Sequence, residues 1–145
     1  GWSTGEMATA VPAGVEYTAV AYEHDMPTLL AAADLVVCRS GATSVAELAV
    51  LGIPSVLVPL PGAPGDHQTA NARHLAGSGG AVLLADADLD GSDLDELLGE
   101  LLSDTQRRDS MAVAARSVAM PDAADRVVDL ILRHAAGRCD DVRDA

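Results

Sequence analysis

A chain of 145 residues with 49% hydrophobic content has room for one domain with a real core, and it is too apolar to stay disordered. Nine Arg, no Lys and a formal net charge of −13 give a surface that repels phosphate backbones and anionic lipid, which disfavours nucleic-acid binding and electrostatic membrane docking by this chain. No apolar run approaches the roughly 18 residues of a membrane span, and no basic-then-apolar leader opens the sequence. Cys38 and Cys139 stand too far apart in sequence to suggest a disulfide framework or a metal-ligand spacing, so a reducing, cytoplasmic setting fits best.

Residues 1–14 are rich in Gly, Ser, Thr, Ala and Pro without a period, and read as a loop segment. The first residue is not Met, so the sequence is expected to start inside a longer protein. Val15 to Ala21 carries Val15, Tyr17 and Val20 and predicts a strand. A helix follows from Met26 to Ala33, with Asp25 as its cap and Pro27 in its first turn. Leu35-Val36-Val37-Cys38 is a bounded apolar run that reads as a buried strand. Arg39-Ser40-Gly41-Ala42 is a tight polar turn, and Val45, Leu48 and Leu51 then share one face of a helix from Thr43 to Leu51.

Gly52 ends that helix, and Ser55 to Leu60 is a further buried strand. Pro61 to Asp66 is loop, and His67 to Ala76 is a helix broken by Gly77-Ser78-Gly79-Gly80. Ala81 to Leu84 is a fourth strand. Leucines at 94, 97, 98, 101 and 102 form a helical stripe behind Ser92, which serves as N-cap. Another helix starts at Ser103 or Asp104, and a last one opens at Pro121-Asp122. The expected organisation is a domain over 15–136 with a frayed, charged tail over 137–145.

Apolar strands alternating with helices imply a parallel sheet covered on both faces, a Rossmann-like doubly wound α/β domain. Ligands of such sheets sit at the carboxyl ends of the strands. Those ends are Tyr22 to Asp25, Arg39 to Thr43 and Leu60 to Asn71, all polar where a core would be apolar. A strand, a small-residue turn and a helix N-terminus together suit an anion: free N–H groups and the helix dipole both favour negative charge. Ser40, Thr43 and Ser44 add hydroxyls, Gly41 and Ala42 admit a close approach, and Glu47 one turn on can accept from a diol. The plainer alternative is an ordinary turn with Ser40 or Thr43 as N-cap and no ligand.

Three segments, Asp34 to Glu47, Leu51 to Leu60 and Asp66 to Ala72, resemble the C-terminal, donor-binding domain of the MurG family of glycosyltransferases, and Met120 to Val127 resembles that family's last helix. The likeness runs over residues 15 to 135. It implies half of a GT-B fold, lacking its first strands and the glycine loop that follows the first of them. It also implies an inverting hexosyltransferase that adds N-acetylglucosamine from UDP-N-acetylglucosamine to lipid I, forming lipid II in peptidoglycan synthesis, and so serving cell shape and division. By this resemblance Ser40, Gly41, Ala42 and Thr43 hold the diphosphate, Glu47 the ribose, and His67 and Gln68 the sugar, with Asn71 supporting that contact and uracil near Tyr22 to Met26; Ser44 is a further substrate-binding candidate from its place in the turn.

No catalytic residue is expected in this chain, because the resemblance places the general base and the lipid-linked acceptor in an N-terminal domain. The parent enzyme would be peripheral on the cytoplasmic face of the membrane, and this chain alone inactive. No cofactor or metal is demanded. Glu23-His24-Asp25 departs from the family's usual acidic run.

Some residues keep two readings. Arg39 either balances the diphosphate or pairs with a neighbouring acid. Asp66 either caps the next helix, the safer reading, or touches the sugar. His67 is a ligand contact or an ordinary first-turn residue. Cys38 reads as a core thiol, and the acidic run Asp86 to Asp95 as a solvated loop. The alternatives for the whole chain are a nucleotide-sugar-binding subunit that needs a separate acceptor subunit, and a non-functional fragment. An exposed sheet edge would favour self-association.

Overall fold

The sheet is built around β2 (Ser55–Val58), whose four residues are all buried. The computed structural model describes residues 14–89 and 92–140. β1 (Val36–Arg39) and β3 (Ala81–Leu83) flank β2 in the order β1-β2-β3. Both pairings are parallel, with Val37 opposite Val56 and Val56 opposite Val82. Among the described residues there are six α-helices: α1 (Met26–Ala31), α2 (Ala42–Leu51), α3 (His67–Gly77), α4 (Ser92–Ser103), α5 (Thr105–Ser117) and α6 (Ala123–Asp140).

Alternation along β2 explains the layers. Leu57 points into a cluster with Val45, Leu48 and Ala49 of α2, Ala72 and Leu75 of α3, and Ala115 of α5. Val56 and Val58 point the other way, to Leu101 of α4 and Met111 of α5. Each fully buried aliphatic side chain contributes about 1.5–3 kcal/mol, so a strand apolar on both faces is stable only with helices on both sides. That is the parallel α/β architecture implied by the sequence.

The punctuation is also where the sequence puts it. Asp25 caps α1, its carboxylate accepting from the Thr28 N–H, and Pro27 lies in the first turn. Gly52 ends α2 in the left-handed region at φ 68°. Asp104 caps α5 by accepting from the Arg107 N–H at 2.8 Å. The capping role expected of Ser92 lies outside the described side chains.

Two expectations are corrected. Val15 to Ala21 forms no strand, and Val15, Tyr17 and Val20 are all exposed. Strand propensity needs a partner, and among the described residues this segment has none. The sheet therefore has three strands rather than four among the described residues. Among the described residues β1 has β2 on one side only, and Val37 is 43% exposed. The second correction concerns β2, which stops at Val58 because Pro59 follows it and cannot donate to a ladder.

Helix α6 presents Val127, Val128, Leu130, Ile131 and Leu132 to solvent. No described helix is long and apolar enough to cross a membrane.

Candidate functional site

The carboxyl ends of the three strands carry one connected polar network, and it centres on Ser40. This residue follows β1 and is fully buried. Its hydroxyl donates to the Gln68 carbonyl at 2.8 Å. Its own carbonyl accepts from the Asn71 side-chain amide at 3.1 Å. The turn after β1 is thus locked onto the first turn of α3. Two of the three segments expected to converge are brought together by these bonds.

The lock leaves the start of α2 free. Gly41 is its N-cap and offers no side chain, so neither Ser40 nor Thr43 caps the helix. The first intrahelical bond runs from the Val45 N–H to the Gly41 carbonyl at 3.0 Å. Among the described residues, the N–H groups of Ala42, Thr43 and Ser44 therefore have no protein acceptor. Exposed first-turn N–H groups at the positive end of a helix dipole form an anion site. The plainer reading, with Ser40 or Thr43 closing this turn, is not what the structure shows. The Ser40 hydroxyl donates inside the protein, to the Gln68 carbonyl.

Glu47 lies exposed one turn further along α2. With Ser44, Met26, Leu29, Cys38 and Leu48 it lines a groove of about 530 Å³ beside β1. The groove runs between α1, β1 and α2, and the third expected segment, Tyr22 to Asp25, does not line it. Its walls are mostly aliphatic, and Ser44 and Glu47 supply polar groups, as suits a flat heterocycle with an attached diol. In the segment before α1, Tyr22 and His24 make an edge-to-face contact at 4.9 Å between ring centroids. Burial raises the pKa of Cys38, so its thiol is kept neutral and packs as a core group rather than a nucleophile.

The loop before α3 is held by its own contacts. A ring nitrogen of His67 lies 2.7 Å from the Pro64 carbonyl. Asp66 stands at the N-cap in the left-handed region at φ 51°, yet its carboxylate accepts from the Thr69 hydroxyl at 2.6 Å rather than from a backbone N–H. The expected helix cap at Asp66 is corrected accordingly. Gln68 accepts from the Leu60 N–H through Oε1 at 3.0 Å, which leaves its NH2 group to donate elsewhere.

Arg39 pairs with Asp86 and donates to the Pro59 carbonyl at 3.2 Å. Of its two readings, the structure shows the acid partner. Asp86 was missed by reading the acidic run as solvated loop; the signal available was an unpaired Arg at the end of a strand. No cluster of His, Cys, Asp or Glu suited to a metal exists among the described residues. First-turn N–H groups without a protein acceptor, beside a groove that carries a carboxylate, form the candidate site of this α/β domain.

Comparison with known proteins names the family. Residues 5–127 match the glycosyltransferase family 28 C-terminal domain, and the chain belongs to that family. It is 48% identical over 128 residues, 88% of its length, to a protein of Xanthomonas euvesicatoria pv. vesicatoria named UDP-N-acetylglucosamine–N-acetylmuramyl-(pentapeptide) pyrophosphoryl-undecaprenol N-acetylglucosamine transferase. It is 56% identical over 109 residues, 75% of its length, to a protein of the same name from Nitratidesulfovibrio vulgaris. The crystal structure of MurG from Acinetobacter baumannii superposes with a TM-score of 0.72 at 42% identity over 77% of the chain. The chain spans 30% of the length of each of these two relatives and 32% of that crystallised chain.

Proposed function

We propose that this chain is the donor-binding part of an inverting glycosyltransferase that moves N-acetylglucosamine from UDP-N-acetylglucosamine to a lipid-linked acceptor, lipid I, giving lipid II. The observation that carries the reading is the uncapped N-terminus of α2, held open by the Ser40–Gln68–Asn71 lock with Glu47 one turn on. The names of the relatives supply the substrates.

The diphosphate sits on the N–H groups of Ala42, Thr43 and Ser44, aided by the Thr43 and Ser44 hydroxyls. Glu47 accepts from the ribose diol, the base lies in the groove beside Met26, and the Gln68 NH2 group and His67 address the sugar. Asn71 acts one step back, by fixing the Ser40 carbonyl. When the acceptor hydroxyl attacks the anomeric carbon, negative charge grows on the departing UDP. The helix N-terminus stabilises that charge without reorganisation. The general base and the acceptor site lie in the remaining part of a longer enzyme, which works at the cytoplasmic membrane surface where its lipid-linked substrate is. No metal is required, because backbone donors hold the diphosphate.

The test is an NMR titration with UDP-N-acetylglucosamine, UDP and a TDP-sugar. Shifts are expected at Ser40 to Glu47 and at Gln68 to Asn71. Glu47→Ala should weaken UDP-N-acetylglucosamine about tenfold, the value of a hydrogen bond to a charged acceptor. A well-dispersed spectrum that does not move with any nucleotide overturns the reading.

A further inference from the structure

One peptide group in this site is held at both of its ends. The Pro59 carbonyl accepts from Arg39 Nη1 at 3.2 Å. The N–H of the same peptide unit, carried by Leu60, donates to Gln68 Oε1 at 3.0 Å. Arg39 is in turn paired with Asp86, in the short turn after β3. A continuous path therefore runs from Asp86 through Arg39 and the Pro59–Leu60 peptide to the side chain of Gln68.

The chemistry of the path dictates a direction. A backbone N–H can only donate, so the atom of Gln68 facing Leu60 must be its carbonyl oxygen, and the NH2 group faces away. A guanidinium on the Pro59 carbonyl polarises the peptide and makes the Leu60 N–H a stronger donor. Rotation of that peptide plane would break both bonds at once. We infer that Arg39 and Asp86 are positioning residues that fix the Gln68 amide with its donors turned outward, so that the site selects an acceptor-bearing group, such as a sugar hydroxyl or acetamido carbonyl, beyond the diphosphate. The inference rests on the donor-binding reading above for its ligand, but not for its geometry.

The two side chains are 44% and 34% exposed. An ion pair this open adds little to stability, so variants that keep the fold are available.

The experiment uses Arg39→Gln, Arg39→Lys and Asp86→Asn in this chain, with two readouts. The first needs no ligand: Arg39→Gln should speed hydrogen exchange at the Leu60 amide about tenfold, with Arg39→Lys and Asp86→Asn showing smaller changes in the same direction. The second compares ligands: Arg39→Gln should weaken UDP-N-acetylglucosamine about tenfold while leaving UDP unchanged, with partial rescue by Arg39→Lys. Unchanged exchange at Leu60 overturns the proposal. Equal losses for UDP and UDP-N-acetylglucosamine, or tighter UDP binding by Asp86→Asn, overturn it too, because Arg39 would then act directly on the diphosphate. If the unaltered chain binds neither nucleotide, the donor-binding reading falls, and Leu60 exchange alone decides the positioning. If Arg39→Gln does not fold, Asp86→Asn decides by the same two readouts.

Discussion

Gly41 adopts φ −62° and ψ 148° at the N-cap of α2, a conformation open to any residue. A β-carbon there would meet nothing closer than the Ser44 hydroxyl at 4.0 Å. Neither backbone strain nor packing asks for glycine, which leaves the approach of a ligand to the N–H groups behind it. Gly41→Ala should therefore change stability by no more than about 0.5 kcal/mol, while UDP affinity falls by about tenfold or more through the methyl group in the anion's path. Calorimetry and thermal melts of the same sample separate the two effects; unchanged affinity would leave the glycine without a role. Cys38 offers a second test at this scale. Burial holds its thiol protonated into more alkaline solution than in the unfolded chain. The stabilisation is complete below the ordinary thiol pKa and is lost as pH rises through the raised value, because the folded state then binds more protons than the unfolded one. Denaturation midpoints should fall in alkaline buffer, and Cys38→Ala should flatten that fall. The Cys38 core role was readable from a bounded apolar run. The Ser40 commitment to Gln68 was not, since a serine beside glycine reads equally as a ligand donor.

Two glycines show how the elements are joined, and they predict different penalties. Gly52 closes α2 in the left-handed region, and its missing β-carbon makes room for Arg116, whose guanidinium donates to the Leu51 carbonyl at 2.9 Å. Gly52→Ala should cost about 1–3 kcal/mol, combining left-handed strain with displacement of Arg116. In an Arg116→Ala background only the strain remains, so the two substitutions should be non-additive in chemical denaturation. Gly80 lies before β3, where a β-carbon would come within 2.7 Å of the Ala115 backbone of α5. Main chain cannot swing aside as a side chain does, so Gly80→Ala should cost at least about 2–3 kcal/mol. Equal, small costs at both positions would refute this contrast. Element boundaries were legible at Gly52 and the Gly77–Gly80 run, which act locally on the chain, whereas the stop that Pro59 imposes on β2 was read through. The false strand at Val15 to Ala21 arose because a strand is a relation between segments, and alternation alone names no partner. The Arg39–Asp86 pair was hidden for the same reason: it joins the end of β1 to the turn after β3, and only the parallel register brings those ends together.

At the scale of the molecule, the proposed donor binding sets a net charge of −13 against a ligand that is itself anionic. The parallel sheet followed from the sequence, because alternating apolar runs and helices leave few ways to cover both faces, and the candidate site was expected at its carboxyl ends. The sequence also showed the charge, but not how locally the anion site works. Its donors are uncharged N–H groups on α2, and the nearby guanidinium of Arg39 is already paired. On the proposed reading, binding depends on short-range dipoles set within a long-range repulsive field. Screening shortens that field from about 30 Å at 0.01 M salt to about 8 Å at 0.15 M, and contacts within the first helical turn are affected much less. The association rate of UDP should rise several-fold, by order of magnitude, over that range of salt, while its dissociation rate stays nearly constant. Phosphate sites built from lysine and arginine clusters behave oppositely, losing affinity as salt is added. Stopped-flow measurement with a fluorescent UDP analogue distinguishes the cases. A rate that falls with salt would mean that a local positive field steers the nucleotide, and that the α2 terminus is not the whole of the anion site.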